Sequence, residues 1–421
     1  MKAEITQQRQ YLHNPAPSLA LKLDIEPAPS AGAVEAAISA VVKHHPLLGC
    51  AASMATGGSA YFITTSEPGY TVYSAELESE DDWLDVANDS QRDPFDMEGG
   101  ELVRFFILEG MGKTQLVICL HRIVGDASCL MSIARGVVSE LNQPGSLGDP
   151  LNYHAPEPLP KVKIPMMTKT MGKMMNKRWT QTGKAMRRED YVLLVDSYWE
   201  RPSGIASHVF SVETTAKLAE RAREKNAGLG SLVASALILA QQDSGEAGYA
   251  RAMRPDNRLG DMGDYERNAT FRFDLANTLP LFDCAGQIAA TTASKFADAE
   301  ERIQTLAFME TLEPTIIDAA YYAAFGGYPD LMAAQARDMF GINGSRAFNL
   351  TDLGSADDSS DGRWHAENVR FLPQLSPTAG TSVGMVISGG RLAVAAQFVE
   401  EDGSDARDNF LDAMARLEEA E

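Results

Sequence analysis

The segment Leu116-Val117-Ile118-Cys119-Leu120 is an uninterrupted apolar run of strand length, and it leads directly into His121-Arg122-Ile123-Val124-Gly125-Asp126-Ala127-Ser128. A run without polar alternation predicts a strand covered on both faces. Downstream, Leu130, Ile133, Ala134, Val137, Val138 and Leu141 recur at helical spacing and give a helix with one apolar face. The chain must therefore pass here from a buried strand into a buried helix. A His, an Arg and an Asp within six residues at such a junction are costly unless paired. If the chain performs chemistry, this is where it is expected.

At 421 residues the chain is too long for one ordinary core and suits two domains of about 200 residues each. Its 44% hydrophobic content is enough to build them. The opening Met1-Lys2-Ala3-Glu4-Ile5-Thr6 shows no basic and apolar leader, and the longest apolar runs fall far short of the roughly 20 residues that span a bilayer. A cytoplasmic chain with no membrane span is expected. Cys50, Cys119, Cys129 and Cys284 are widely spaced with no CxxC pair, which indicates buried thiols rather than a disulfide framework or a metal site. A net charge of −21 argues against nucleic acid or an anionic membrane as the main partner. One segment runs against that balance: Leu159 to Arg188 carries nine Lys or Arg residues and no acid.

In chain order, Ser18 to Ile25 alternates as a strand, and Val34, Ala37, Ile38, Val41 and Val42 form an amphipathic helical stripe that His44-His45-Pro46 ends. The two histidines read as helix-end residues favoured by the dipole. Asn152 to Pro160 is Pro-rich and reads as loop. In the basic segment that follows, Met167, Met171, Met174 and Met175 fall on one helical face, with Lys169, Lys173 and Lys177 near the other. This segment is either a crossover with a Met-packed face or a docking surface for something acidic. A strand is expected over His208 to Val212, then a helix with Leu218, Ala219 and Ala222 inward, Gly228 as its left-handed cap, and a second helix from Ser231. Val383 to Ser388 and Leu392 to Phe398 read as a hairpin about Gly389-Gly390, and Asp405 to Leu417 as a closing helix. No P-loop, Rossmann glycine pattern or HExxH is present.

The nonamer from Leu120 to Ser128 resembles the HHxxxDG signature of the condensation-domain and acyltransferase superfamily, which includes peptide-synthetase condensation domains, chloramphenicol acetyltransferase, wax ester synthases and polyketide-associated acyltransferases. His121 stands at the first His and Asp126 at the Asp, but Arg122 occupies the second His, the family's general base, and Ala127 the Gly. Further matches are His45-Pro46-Leu47-Leu48 to an RHPxLR-like turn, and Pro94-Phe95-Asp96-Met97 with Arg104 to a PFDLxxGPLxR segment. Looser ones are Arg254-Pro255, then Asn268 and Arg272, to the GRP and GNxxNxxPxR elements. Phe348 to Ser355 resembles an SNLG strand, with Asp352 in the Asn position.

The resemblance implies an α/β fold of two similar chloramphenicol-acetyltransferase-like lobes, open mixed sheets flanked by helices, with a tunnel between them. Residues 1–190 would form the N-terminal lobe, ending in the basic crossover 159–188, and residues 191–421 the C-terminal lobe. It implies an acyl thioester of coenzyme A or phosphopantetheine as substrate, with no cofactor bound and an acidic carrier protein as a possible partner. His121, Arg122 and Asp126 are the catalytic-motif positions, and Gly125, Ser128, Asn268 and Asp352 the substrate-binding ones. Asp126 is expected to hold the loop by pairing with Arg254 or Arg272, and Lys169, Lys173 and Lys177 to form the docking face. Arginine cannot serve as a base, because its guanidinium stays protonated and offers only donors. Two functions follow: a weak or specialised acyltransferase with another base, His121, His208 and His365 being the candidates, or a non-catalytic scaffold or recruitment protein of the same fold.

Overall fold

The computed structural model describes residues 2–55, 57–151, 161–241, 246–252, 266–272, 279–297, 304, 307–342, 346–357, 362–399 and 405–420, with backbone alone for 246–252 and for 266–272. The strands are β1 (Lys2–Glu4), β2 (Ser18–Glu26), β3 (Cys50–Met54), β4 (Ala60–Thr64), β5 (Thr71–Glu76), β6 (Val103–Gly110), β7 (Lys113–His121), β8 (Ser203–Val209), β9 (Glu246–Ala252), β10 (Glu266–Arg272), β11 (Arg346–Ser355), β12 (His365–Leu372), β13 (Thr381–Ser388) and β14 (Arg391–Val399). The principal helices are α1 (Ala31–His44), α2 (Asp82–Arg92), α3 (Ala127–Asn142), α4 (Met166–Thr182), α5 (Arg188–Trp199), α6 (Val212–Glu224), α7 (Leu229–Ala240), α8 (Leu281–Ala297), α9 (Pro314–Phe325), α10 (Leu331–Phe340) and α11 (Ala406–Glu419).

They form a mixed α/β structure of open sheets flanked by helices, ordered β12-β2-β7-β6-β5, β10-β9-β11-β13-β14-β8 and β1-β4-β3. The apolar run at 116–120 lies in β7, central in the first sheet and buried along its whole length. Its side chains alternate between two cores, as a strand must. Leu116, Ile118 and Leu120 join Leu19, Leu21 and Leu23 of β2 beneath α1 and α3. Val117 and Cys119 meet Trp83 and Ala87 of α2, together with Leu372 and Ala395 from the C-terminal half. α1 starts where Ser30 Oγ accepts from the Ala33 N–H and stops before Pro46, which lacks the donor needed to continue it.

Among the described residues, sheet membership crosses the boundary expected near residue 190 in one place. β12 belongs to the C-terminal half of the sequence, yet it pairs antiparallel with β2 and so completes the N-terminal sheet. The second sheet packs on α6, α7, α8 and α11 around Phe210, Phe348, Phe398 and Phe410. A third core, with Trp179, Tyr191, Tyr198, Trp199, Ile316 and Leu375, joins the crossover helices α4 and α5 to α9.

Several local expectations shift. The strand foreseen at 208–212 runs from Ser203 to Val209, because Ser211 Oγ caps α6 by accepting from Thr214 N–H. Asn226, at φ 55°, takes the left-handed position assigned to Gly228. Gly228 is instead the N-cap of α7, which starts at Leu229, two residues before Ser231. In α4 the buried side is Gly172, Met175 and Trp179, while Met167 is 87% exposed. The Met residues therefore do not form one packed stripe. The β13–β14 hairpin turns at Gly389 and Gly390, both at positive φ, as a two-residue turn of matching twist requires.

Candidate functional site at the strand–helix junction

His121 ends β7 on the Cys119 side of the sheet and is fully buried. Its ring meets Phe95 edge-on, with centroids 5.2 Å apart. Nδ1 accepts from the Ile123 N–H at 3.1 Å, which places the ring proton on Nε2. Burial, aided by the charge of Arg104, pulls its pKa down to about 3, so the imidazole is neutral near pH 7. Arg104 itself is held by the carbonyls of Ser90, Asp93 and Pro94 and by Glu101 Oε2 at 2.8 Å. The Pro94 to Arg104 segment thus forms the wall that His121 faces.

Arg122 is 1% exposed and turns back into its own loop, where Nη1 donates to the Gly125 carbonyl at 3.0 Å. Its guanidinium lies 4.5 Å from the centroid of the Tyr11 ring, and its backbone N–H donates to Pro17. Asp126 is the N-cap of α3: Oδ1 accepts from the N–H groups of Ser128 and Cys129 at 2.9 and 3.1 Å. Gly125 is buried, and Ser128 is half-buried at the first turn of α3. His121, Arg122, Gly125, Asp126 and Ser128 are therefore brought together, and the side chains of His121, Arg122 and Asp126 each bond the backbone of this junction.

A second polar cluster adjoins this one. Arg9, in the 3-10 turn Gln7–Tyr11, makes a two-pronged contact with Asp318 of α9, and both are buried. His13 Nδ1 lies 2.8 Å from the Tyr322 hydroxyl, and its Nε2 lies 3.8 Å from Asp318 Oδ2. Burial lowers the His13 pKa more strongly than Asp318 raises it. His13 and Phe95 line one small cavity with Met54, Met97 and Tyr191, and the Phe95 ring is the one that meets His121. Sequence reasoning passed over His13. Its partner Tyr322 lies 309 residues further on in α9, and an imidazole after a Tyr-Leu pair carries no local signal.

No family model matches the chain, and no curated protein matches it. Solved structures do. The first condensation domain of the CDA synthetase aligns at TM-score 0.64 and 11% identity, over 99% of this chain and 94% of that one. The condensation domain of the Monacolin K polyketide synthase MokA aligns at 0.62 and 13%, over 99% and 96%. Polyketide synthase associated protein 5 from Mycobacterium tuberculosis aligns at 0.59 and 13%, over 99% and 98%. The chain has the condensation-domain fold.

Within the condensation-domain fold, His365 stands well away from the motif. His365 opens β12 opposite Glu26, whereas His121 pairs with Ser18 at the other end of β2. Eight residue steps separate those positions, about 26 Å at roughly 3.3 Å each. His208 sits on the edge strand β8, bonded through Nε2 to Glu418 at 2.9 Å. His365 is therefore too far off to act as a base at the position of Arg122, and the His208 ring is engaged with Glu418. Asp352 Oδ1 accepts from the Gly354 N–H at 2.9 Å, shaping the end of β11. Asn268 and Arg272 lie on β10, where only the backbone is described, and Arg254 lies outside the described residues. Lys169, Lys173 and Lys177 follow one another at single-turn spacing along the exposed side of α4. Among the described residues no His, Cys, Asp and Glu group could hold a metal ion, and no helix is long and apolar enough to cross a membrane.

Proposed function

We propose that this chain binds an acyl thioester, carried on coenzyme A or a phosphopantetheine arm, and passes the acyl group to a hydroxyl or amine in a weak or specialised reaction. The support for the substrate class is the fold together with one relative. The starter condensation domain of rhizomide synthetase, 12% identical to this chain at TM-score 0.60, was solved as a mutant in complex with C8-CoA and Leu-SNAC.

The observation that carries the mechanistic part is the orientation of Arg122. A guanidinium that donates to Gly125 and stacks on Tyr11 completes the loop without offering a proton acceptor. Transfer then relies on orientation of an acceptor that is already nucleophilic, or on another base. His13, whose pKa burial lowers, lies on a cavity whose Phe95 wall contacts His121, and it is our candidate for that second role. The same observation favours a second reading, a non-catalytic scaffold or recruitment protein.

Octanoyl-coenzyme A is the probe that separates them. Calorimetric binding with slow transfer or thioester hydrolysis, raised by a measurable part of the 10² to 10⁴-fold typical of a general base in Arg122→His, supports the transferase. Binding without turnover in either protein supports the scaffold, and absence of binding removes the thioester reading altogether.

For the partner, we propose that the exposed Lys169, Lys173 and Lys177 face of α4 docks an acidic carrier protein. An affinity carried by exposed charges falls as salt screens them beyond roughly 8 Å. Reversing the three lysines to Glu is expected to abolish carrier binding while leaving octanoyl-coenzyme A binding intact. A salt-independent carrier affinity would contradict the assignment.

A further inference from the structure

The cavity that His13 lines is a slot running from the surface into the protein, and its volume is about 50 Å³. Glu98, Arg188 and Val192, all exposed, form its rim. Leu12, His13, Ala52, Phe95 and Tyr191, all buried, form its inner end. Met54 and Met97, both half-buried, line it as well. A water needs about 10 to 15 Å³ on this measure, so the slot takes about three to five atoms of that size.

Its chemistry is set by one nitrogen. The Tyr191 hydroxyl is engaged by the Asn14 carbonyl at 3.1 Å, which leaves His13 among apolar neighbours at the inner end. Nδ1 of His13 lies 2.8 Å from the Tyr322 hydroxyl, outside the slot, and Nε2 lies 3.3 Å from the sulfur of Met54, which lines it. Nε2 is therefore the polar atom presented to a ligand. A thioether is a weak acceptor on a flexible side chain, so a hydroxyl can take its place at Nε2. The hydroxyl both donates and accepts, and pairs with Nε2 in either tautomer. An ammonium would have to shed water among apolar side chains, and the Asp318 carboxylate, 3.8 Å from Nε2, is already engaged by Arg9.

We infer that this slot receives the hydroxyl end of the acceptor, a short unbranched primary alcohol group that reaches Nε2 of His13, with Met54 and Met97 setting its width. Its chemical role rests on the transfer reading, but binding of the alcohol needs no thioester. In that role the ring proton lies on Nδ1, toward Tyr322. The alcohol oxygen bonds the acyl carbon, the carbon–sulfur bond breaks, and the hydroxyl proton passes through Nε2 to the departing thiolate, giving an ester and a thiol.

The test labels the methionine methyl groups of the full chain with ¹³C and assigns two of them from the spectra of Met54→Leu and Met97→Leu. Saturable shifts of Met54 and Met97 by 1-propanol are expected, with the remaining methionines as the control. Propylammonium, tert-butanol and 1-chloropropane should each bind at least about tenfold more weakly, as a fitted site discriminates. Val192→Trp, placed where the parent side chain is already exposed, covers the mouth and should abolish the shifts. Met54→Ala widens the slot and should raise the affinity for tert-butanol relative to 1-propanol at least about tenfold, read at Met97. Uniform shifts of all methionines, equal affinity for 1-chloropropane, shifts that persist in folded Val192→Trp, or a Met54→Ala protein that still excludes tert-butanol would overturn the inference. Octanoyl-coenzyme A separates this from the transfer reading. Saturable 1-propanol binding with no octanoyl ester formed removes the transferase and leaves the alcohol site, whereas ester formed by Val192→Trp at the parent's rate keeps the transferase and overturns the slot.

Discussion

His121 and Asp126 show how two polar residues can be buried at one junction on different terms. The folded-state pKa of His121, about 3, lies below its ordinary 6.5, so the native state binds fewer protons than the unfolded chain as the medium acidifies. The stability this neutral imidazole preserves is complete above about pH 6.5 and declines as pH falls towards 3, at up to about 1.4 kcal/mol per pH unit. His121→Asn keeps an acceptor for the Ile123 N–H and removes the titration. Urea unfolding between these limits should show a slope shallower by up to one proton, with the remaining slope including His13, which is lowered in the same direction. An unchanged slope would mean that His121 titrates normally. For Asp126, Asn preserves the N-cap and removes the charge, whereas Ala removes both. Asp126→Ala is expected to cost at least about 1 to 2 kcal/mol for the cap. Any loss seen in Asp126→Asn measures charge pairing at that site, and equal melting of all three proteins would contradict both roles.

At the scale of elements, the close approach of β13 to the end of β12 decides how the two larger sheets meet. A Cβ on Gly384 would stand 2.6 Å from both the Phe371 carbonyl oxygen and Pro373 Cδ. A carbonyl oxygen at that distance cannot rotate aside as a long side chain could. Gly384→Ala is therefore expected to destabilise by about 1 to 3 kcal/mol or more, read as a lower melting temperature. Gly380, with open space around its missing Cβ, is the control that should tolerate the same change. The hairpin containing Gly384 was legible in the sequence, because alternation and a Gly-Gly turn are local signals. So were α1 and α3, each marked by an apolar stripe at helical period, and β7, marked by an unbroken apolar run. The strand at 203–209 and the Asn226 cap were misplaced by a few residues, since a Gly nearby competes for the left-handed position and a Ser for the helix start. The motif loop was found from its residues alone, but the direction of the Arg122 side chain depends on Tyr11, and no spacing rule connects those two positions.

Over the whole molecule, the contacts that tie the two ends of the chain together were the least legible, because each joins residues far apart in sequence. β12 completes the first sheet from the C-terminal half, and Arg9, in a short turn near the N-terminus, meets Asp318, 309 residues further on in α9. Asp318 is fully buried and Arg9 is 3% exposed, so neither charge has water to fall back on. Removing one member of such a pair leaves the other uncompensated, at about 3 to 5 kcal/mol. Asp318→Asn should lower stability by that amount. Replacing both members, as Arg9→Met with Asp318→Leu, should recover most of the loss, because apolar groups of similar size need no partner. Tyr11 adjoins Arg9 in the same turn and carries the ring on which Arg122 rests, so the pair also fixes the floor beneath the motif. The double variant is accordingly expected to unfold near the parent's denaturant midpoint and to bind octanoyl-coenzyme A as the parent does. The single variant should be weaker in both. A single variant that melts with the parent would show that the turn is held by its apolar contacts and that the ion pair contributes little to joining the ends of the chain.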